Sequence, residues 1–461
     1  MIWLADNLAL VLLCTLMIGL FMGFPVGSVL GGTAILVGFL GIALDVFMPV
    51  QFFNWMPRVW GGIAANYVLV AAPMFIFMGI VLERSGVAVE LLHSLQVIMR
   101  RVPGGLAVSV MMMGVIMAAT TGIVGASVVM LSLVALPAML AQGYQKELSS
   151  GVVASAGTLG ILLPPSIMLI ILGEQLSVPV GILFAAAIIP GLVLSGIYLL
   201  YIIGIGLLRP SLAPSMAADA GPVNPGELIM LLVKSLVAPT ILIVLVLGSI
   251  FVGWATPTEA SGVGAMGAVL IALFKGRLDR ATMKEILKST GTTNAMVFYV
   301  LFGATLFAYV FRALGGDDVI MGMLSALNID SAWKIFIFLN VLVFVLGFFF
   351  DWIEISLIVL PLFAPTLVSA DFSAHLGESG PLYFMTWFII VIAVNLQTSF
   401  LSPPFGVALF FLRGTVPASI TMSHIYRGIV PFVLLQLLAL TIMIAFPALT
   451  FWLPQAAGMI R

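Results

Sequence analysis

The sequence predicts an all-α integral membrane protein of about ten transmembrane helices plus two re-entrant helical hairpins, in two inverted-topology repeats. Three observations predict it. Of 461 residues, 62% are apolar and only 8% charged, against about 45–50% and about 25% in average soluble domains. Apolar runs long enough to cross a bilayer recur along the whole chain. Two proline pairs, Pro164-Pro165 and Pro403-Pro404, interrupt such runs at an offset of 239 residues. The net charge of -1 and mean hydropathy of +1.28 exclude an electrostatic nucleic-acid binder, a disordered chain and a soluble enzyme. Cys14 is the single cysteine, so neither an intrachain disulfide nor a cysteine metal site is available. The first residues, Met1 to Asp6, lack the positive region of a secretory signal, and a retained first span is expected.

Ten runs read as crossings: 8–26, 28–49, 63–82, 150–173, 180–208, 229–253, 257–274, 292–313, 383–412 and 428–454. Two more apolar stretches, 104–145 and 332–369, have polar or small-residue centres and read as re-entrant hairpins, tolerated where protein or water satisfies the exposed backbone. The polar, proline-rich segment 209–227 is the linker between a first repeat, 1–208, and a second, 228–461. Each holds three spans, a short amphipathic segment, a hairpin and two spans, one of them a broken helix at about 150–173 or 383–412. Five crossings per repeat is an odd number, so the halves must be oppositely oriented. Charge supports this. With the amino terminus outside, the inner loops hold Arg84, Arg100, Arg101, Lys146, Arg209, Lys275, Arg277, Arg280, Lys284, Lys288, Arg413 and Arg427. The outer loops hold Asp45, Arg58, Glu174, Asp317, Asp318, Asp330, Lys334, Asp371 and Glu378.

The first hairpin turns around Ala118 to Ser127, where small residues and the hydroxyls of Thr120, Thr121 and Ser127 could aim oxygens at a cation. Tight helix packing is the alternative use of the same residues. The proline pairs shift the balance towards a binding site at the repeat interface. Each removes two backbone donors and frees carbonyls, and each follows a polar cluster: Gly157-Thr158-Leu159-Gly160, and Asn395-Leu396-Gln397-Thr398-Ser399. Asp351 and Glu354 lie one helical turn apart in the second hairpin, at a depth where carboxylates usually mark an ion or proton path. Thr256-Pro257-Thr258-Glu259 reads as a helix start, and capping accounts for Thr256 and Glu259 fully. Ala72-Pro73 reads as a packing bend in the third span. Lys288-Ser289-Thr290 lacks the glycine of a P-loop, the three histidines lack metal-ligand spacing, and no His-Glu-x-x-His run occurs. An enzyme is therefore not expected.

As a set these motifs resemble the large membrane subunit of tripartite ATP-independent periplasmic (TRAP) transporters. The resemblance rests on Ala72 to Gly79, Gly143-Tyr144, Gly157 to Ile167, Ala255 to Ala260, Phe350-Asp351, and Asn395 to Thr398 with Pro403-Pro404. It implies sodium-coupled import of a small organic acid across the bacterial inner membrane by an elevator mechanism. The implied partners are a small membrane subunit of about four spans and a periplasmic substrate-binding protein; no nucleic acid partner and no cofactor beyond coupling sodium ions are implied. The hairpin tip Ala119-Thr120-Thr121-Gly122 is similar to the branch loosely labelled mannitol or chloroaromatic transporters. A first sodium site is expected at Thr120, Thr121, Gly125, Ser127, Gly157, Thr158, Gly160, Leu163, Pro164 and Ser166. A second is expected at Asp351, Glu354, Asn395, Gln397, Thr398, Ser399 and Pro403, with the substrate path along Thr121, Pro165, Thr398 and Pro404. A self-sufficient sodium- or proton-coupled anion carrier of similar architecture is the alternative, and an intramembrane enzyme lacks a nucleophile or metal triad.

Overall fold

The computed structural model describes residues 2–121, 124–215, 225–368, 371–377, 380–403 and 406–460, and every regular element among them is a helix. The first half opens with α1 (Leu8–Phe21), α2 (Val26–Ala43) and α3 (Ala71–Arg84). A segment Pro49–Ala64 leads into α3 through a bend of 59°. Next comes α4 (Val87–Met99), whose buried Val87, Leu91 and Leu95 recur at the spacing of one helix face. A helix pair follows, α5 (Gly105–Thr121) and α6 (Val124–Ala141), then α7 (Lys146–Thr158), α8 (Ile167–Gln175) and α9 (Val180–Leu208).

The second half repeats that order. It runs α10 (Pro225–Phe251), α11 (Pro257–Phe274), α12 (Arg280–Ala313), the short α13 (Gly316–Ala326), the pair α14 (Ala332–Leu346) and α15 (Trp352–Val368), then α16 (Pro381–Leu401), α17 (Val407–Thr415) and α18 (Met422–Ala445). A last helix, α19 (Ala448–Ala456), closes the chain against α9. Capping chemistry sets two of the starts. Thr256 Oγ accepts from the Glu259 N–H at 3.3 Å while the Glu259 carboxylate accepts from the Thr256 N–H at 2.8 Å, the capping box read from the sequence. Asp279 caps α12 by accepting from the Thr282 N–H at 2.7 Å, and the Thr282 hydrogen bonds hold its carboxyl below the usual range.

Where the sequence shows ten apolar runs, the described residues hold seven helices long and apolar enough to cross a membrane, or eight with the bent pair counted as one. The difference has a physical cause. The run 150–173 is split by Pro164-Pro165 into α7 and α8, neither long enough alone. The first run is a helix of only 14 residues. Conversely α6, one arm of the first pair, has the length and apolarity of a span.

Contacts between the halves come in exchanged pairs when each helix is matched to the one nine further along. α3 packs on α11 as α2 packs on α12; α7 packs on α18 as α9 packs on α16. Likewise α6 meets α17 as α8 meets α15, and α4 meets α10 as α1 meets α13. Thr158 and Gln397, counterparts at the same 239-residue offset as the proline pairs, touch each other: Gln397 Nε2 donates to Thr158 Oγ1 at 3.4 Å. A contact between counterpart residues fits a two-fold arrangement of the halves.

Candidate transport site

Both helix breaks follow from missing backbone donors. Pro164 and Pro165 have no N–H for the carbonyls of Gly160 and Ile161 four residues back, so the chain leaves α7 through a short 3-10 turn, Leu159–Ile161. Ser166 restarts it: its Oγ accepts from the Leu169 N–H at 3.4 Å as the cap of α8 and donates to the Ile161 carbonyl. At the second break Pro403 and Pro404 leave the carbonyls of Ser399 and Phe400 without helical donors. The Ser402 N–H turns back to the Ser399 carbonyl at 3.2 Å. Gly406 is required beside it, because a Cβ there would lie 2.6 Å from the Phe400 carbonyl oxygen.

The two breaks and the turning ends of the two helix pairs line one cavity of about 480 Å³. Val124 and Gly125 come from the first pair, Asp351 and Trp352 from the second, and Ile167, Phe400, Val407 and Phe411 from the broken helices. The facing wall is α3, with Glu83 and Arg84, and α12, with Ser289, Thr293 and Met296. The volume suits a small organic molecule. Arg84 and Glu285 pair at 3.1 Å on the rim, both half-exposed, so the pair contributes little to stability.

Around the first break, Gly125 lines the cavity against Phe411 and Ser127 is buried. Gly157 lets α7 press against Val128 of α6, where a Cβ would collide. Thr158 Oγ1 donates to the Ser155 carbonyl at 2.9 Å and accepts from Gln397. Gly160, Leu163, Pro164, Pro165 and Ser166 are all buried. The side chains of Thr120 and Thr121, and all of Pro404, lie outside the described residues.

Around the second break the residues separate. Asp351 is at the cavity, and its Oδ1 accepts from the Trp352 N–H at 2.7 Å. Glu354 turns back to accept from the Asp351 N–H at 3.1 Å, so the two carboxylates cap α15. The sequence contains that signal, a capping residue followed three residues later by Glu, at Asp351 as at Thr256. Asn395 donates to the Asn340 carbonyl at 2.7 Å on α14, Gln397 faces α7, and Ser399 sits against Gly347. Thr398 Oγ1 donates to the Val394 carbonyl at 3.3 Å, and Pro403 is exposed. Asn395 and Ser399, four residues apart, share the face of α16 turned to α14 and its end at Gly347, while Gln397 turns to α7.

A family model described as the tripartite ATP-independent periplasmic transporter, DctM component, matches residues 13–449. The chain belongs to this family. It is therefore a multi-pass inner-membrane permease, a transporter component and not an enzyme. Among its relatives, the C4-dicarboxylate TRAP transporter large permease protein DctM of Pseudomonas aeruginosa is 30% identical over 396 residues, 86% of this chain and 88% of that protein. The sialic acid TRAP transporter large permease protein SiaM of Vibrio cholerae is 25% identical, covering 95% of this chain and 96% of that one. The fold matches the crystal structure of the Alcanivorax borkumensis YdaH transporter with a TM-score of 0.60 at 15% identity, over 95% of this chain and 98% of that one.

Sequence reasoning missed the facing wall of the cavity. Glu83, Ser289 and Thr293 line the cavity, and none was singled out. The signal was present in Ser289 to Asn294, a polar stretch inside a spanning helix, with Ser289 and Thr293 one turn apart.

Proposed function

We propose that the chain is the sodium-coupled large permease of a TRAP system, importing a small organic acid delivered by a periplasmic binding protein and working with a small membrane subunit. Two inverted repeats, 1–208 and 228–461 joined by 209–227, each contribute a helix pair and a broken helix to a mobile body. It slides against a wall containing α3 and α12, an elevator motion. The observation that carries this reading is the convergence of both helix breaks and both turning ends on one cavity whose opposite wall is α3 and α12. The exchanged contacts between halves support the repeat. Sodium suits the donors, which are hard oxygens: the proline-freed carbonyls of Gly160 and Phe400, hydroxyls, and Asp351.

Sodium binding is measurable on the purified chain before any substrate is known. A ligand that binds only the folded state at 100 times its Kd stabilises it by about 2.7 kcal/mol. The melting temperature is therefore expected to rise in sodium chloride relative to equal potassium chloride, and less so in Asp351→Asn. Equal melting temperatures in the two salts, across millimolar to molar concentration, would contradict sodium coupling.

A further inference from the structure

A second cavity, of about 790 Å³, opens at the far end of α12. It shares that helix with the central cavity: Ser289 and Thr293 face the central one, while Thr305, Tyr309 and Arg312 face this one. At 1.5 Å per residue, Thr293 and Tyr309 are about 24 Å apart along the axis. Charge placement puts Arg58, Glu174 and Asp317 on the outer side, so this cavity is the outward vestibule.

Two guanidinium groups meet there and differ in commitment. Arg312 is occupied: its Nη2 donates to the Pro361 carbonyl at 2.9 Å, an oxygen that lost its helical donor because Pro365 has no N–H, and Asp317 stands 4.0 Å away. Arg58 lies 4.7 Å above the Tyr309 ring, one helical turn from Arg312, and no carboxylate pairs with it among the described residues. The carboxylate of the opposite wall, Glu174, is already bound by Asn66 Nδ2. An aromatic face steadies the Arg58 cation but leaves its N–H donors for a planar oxyanion.

We propose that the vestibule is an anion site separate from the central cavity, in which Arg58, held on Tyr309, takes the carboxylate of a small soluble organic anion. This rests on the reading of the chain as an importer of organic acids, to which it adds a first stop on the outer side. A site of this kind raises the local concentration of anions over cations, and that is what the experiment reads.

Thr305→Cys, or Ala308→Cys should the first fail to fold, is placed in a Cys14→Ser chain, assembled with its small subunit in vesicles whose outer face is accessible. Labelling rates are compared for anionic sulfonatoethyl and cationic trimethylammonioethyl methanethiosulfonate, each scaled to its rate on free mercaptoethanol. The anionic reagent is expected to be favoured about tenfold. Arg58→Gln should abolish that preference, and millimolar succinate should slow labelling only while Arg58 is present. A preference unchanged by Arg58→Gln, or absent from the start, would overturn the proposal. So would succinate protection that occurs in phosphatidylcholine vesicles and vanishes with phosphatidylglycerol, which would make a lipid phosphate the occupant. Labelling needs no transport cycle, so a flat labelling pattern with sodium-driven uptake intact faults the vestibule alone. Charge-selective labelling without sodium-driven uptake faults the transport reading alone.

Discussion

Asp351 both caps a helix and stands at the central cavity, and one substitution separates its charge from its capping bond. Its carboxylate accepts from the Trp352 N–H at the start of α15 while standing at the central cavity. Asparagine is as good an amino-terminal cap as aspartate, so Asp351→Asn removes the charge and keeps the helix start. A charged carboxylate at membrane depth costs about 2.5–3.5 kcal/mol on insertion scales, and its retention fits cation coordination. Asp351→Asn is expected to insert, and to melt normally in potassium chloride, while sodium-driven uptake falls sharply; normal uptake at normal expression would make the charge dispensable. Asp351→Ala should in addition lose about 1 kcal/mol of stability with the cap. Glu354→Gln should do little, because glutamine serves equally at the third position of a capping box. A transport defect in Glu354→Gln as large as that of Asp351→Asn would show that both carboxylates act on the ion.

Between elements, the second helix pair is seated on the broken helix at Gly347, where a Cβ would collide with the side chain of Ser399 on α16. Overpacking of this kind costs about 1–3 kcal/mol. Gly347→Ala is therefore expected to lower the melting temperature, and adding Ser399→Gly should restore much of it. Additive losses in the double variant would place the strain elsewhere. The helix breaks were legible in the sequence because proline's lack of an N–H acts locally, and the helix pairs because a polar centre inside an apolar run has few other uses. The direction of each polar side chain was not legible. Asn395, Gln397 and Ser399 look like one cluster on paper, yet α16 turns them towards Asn340, Thr158 and Gly347. Ser289 and Thr293 join the cavity only because α12 packs where it does, which tertiary contact decides and periodicity cannot.

At the scale of the whole molecule, the exchanged helix contacts and the meeting of Thr158 with Gln397 fit a two-fold arrangement of the halves. If the halves are inverted, the basic start of α12 faces the cytoplasm and the acidic start of α13 the periplasm. In a Cys14→Ser chain, Arg280→Cys should label only from inside and Asp318→Cys only from outside; labelling of both from one side would contradict the inversion. The central claim, that a sodium gradient drives solute through the cavity formed by the two halves, is tested most directly in proteoliposomes. These would contain the chain with its small subunit, supplied with the solute-loaded periplasmic binding protein. An inward sodium gradient is expected to drive accumulation that an equal potassium gradient does not and that Asp351→Asn lacks; equal accumulation under the two gradients would contradict the account.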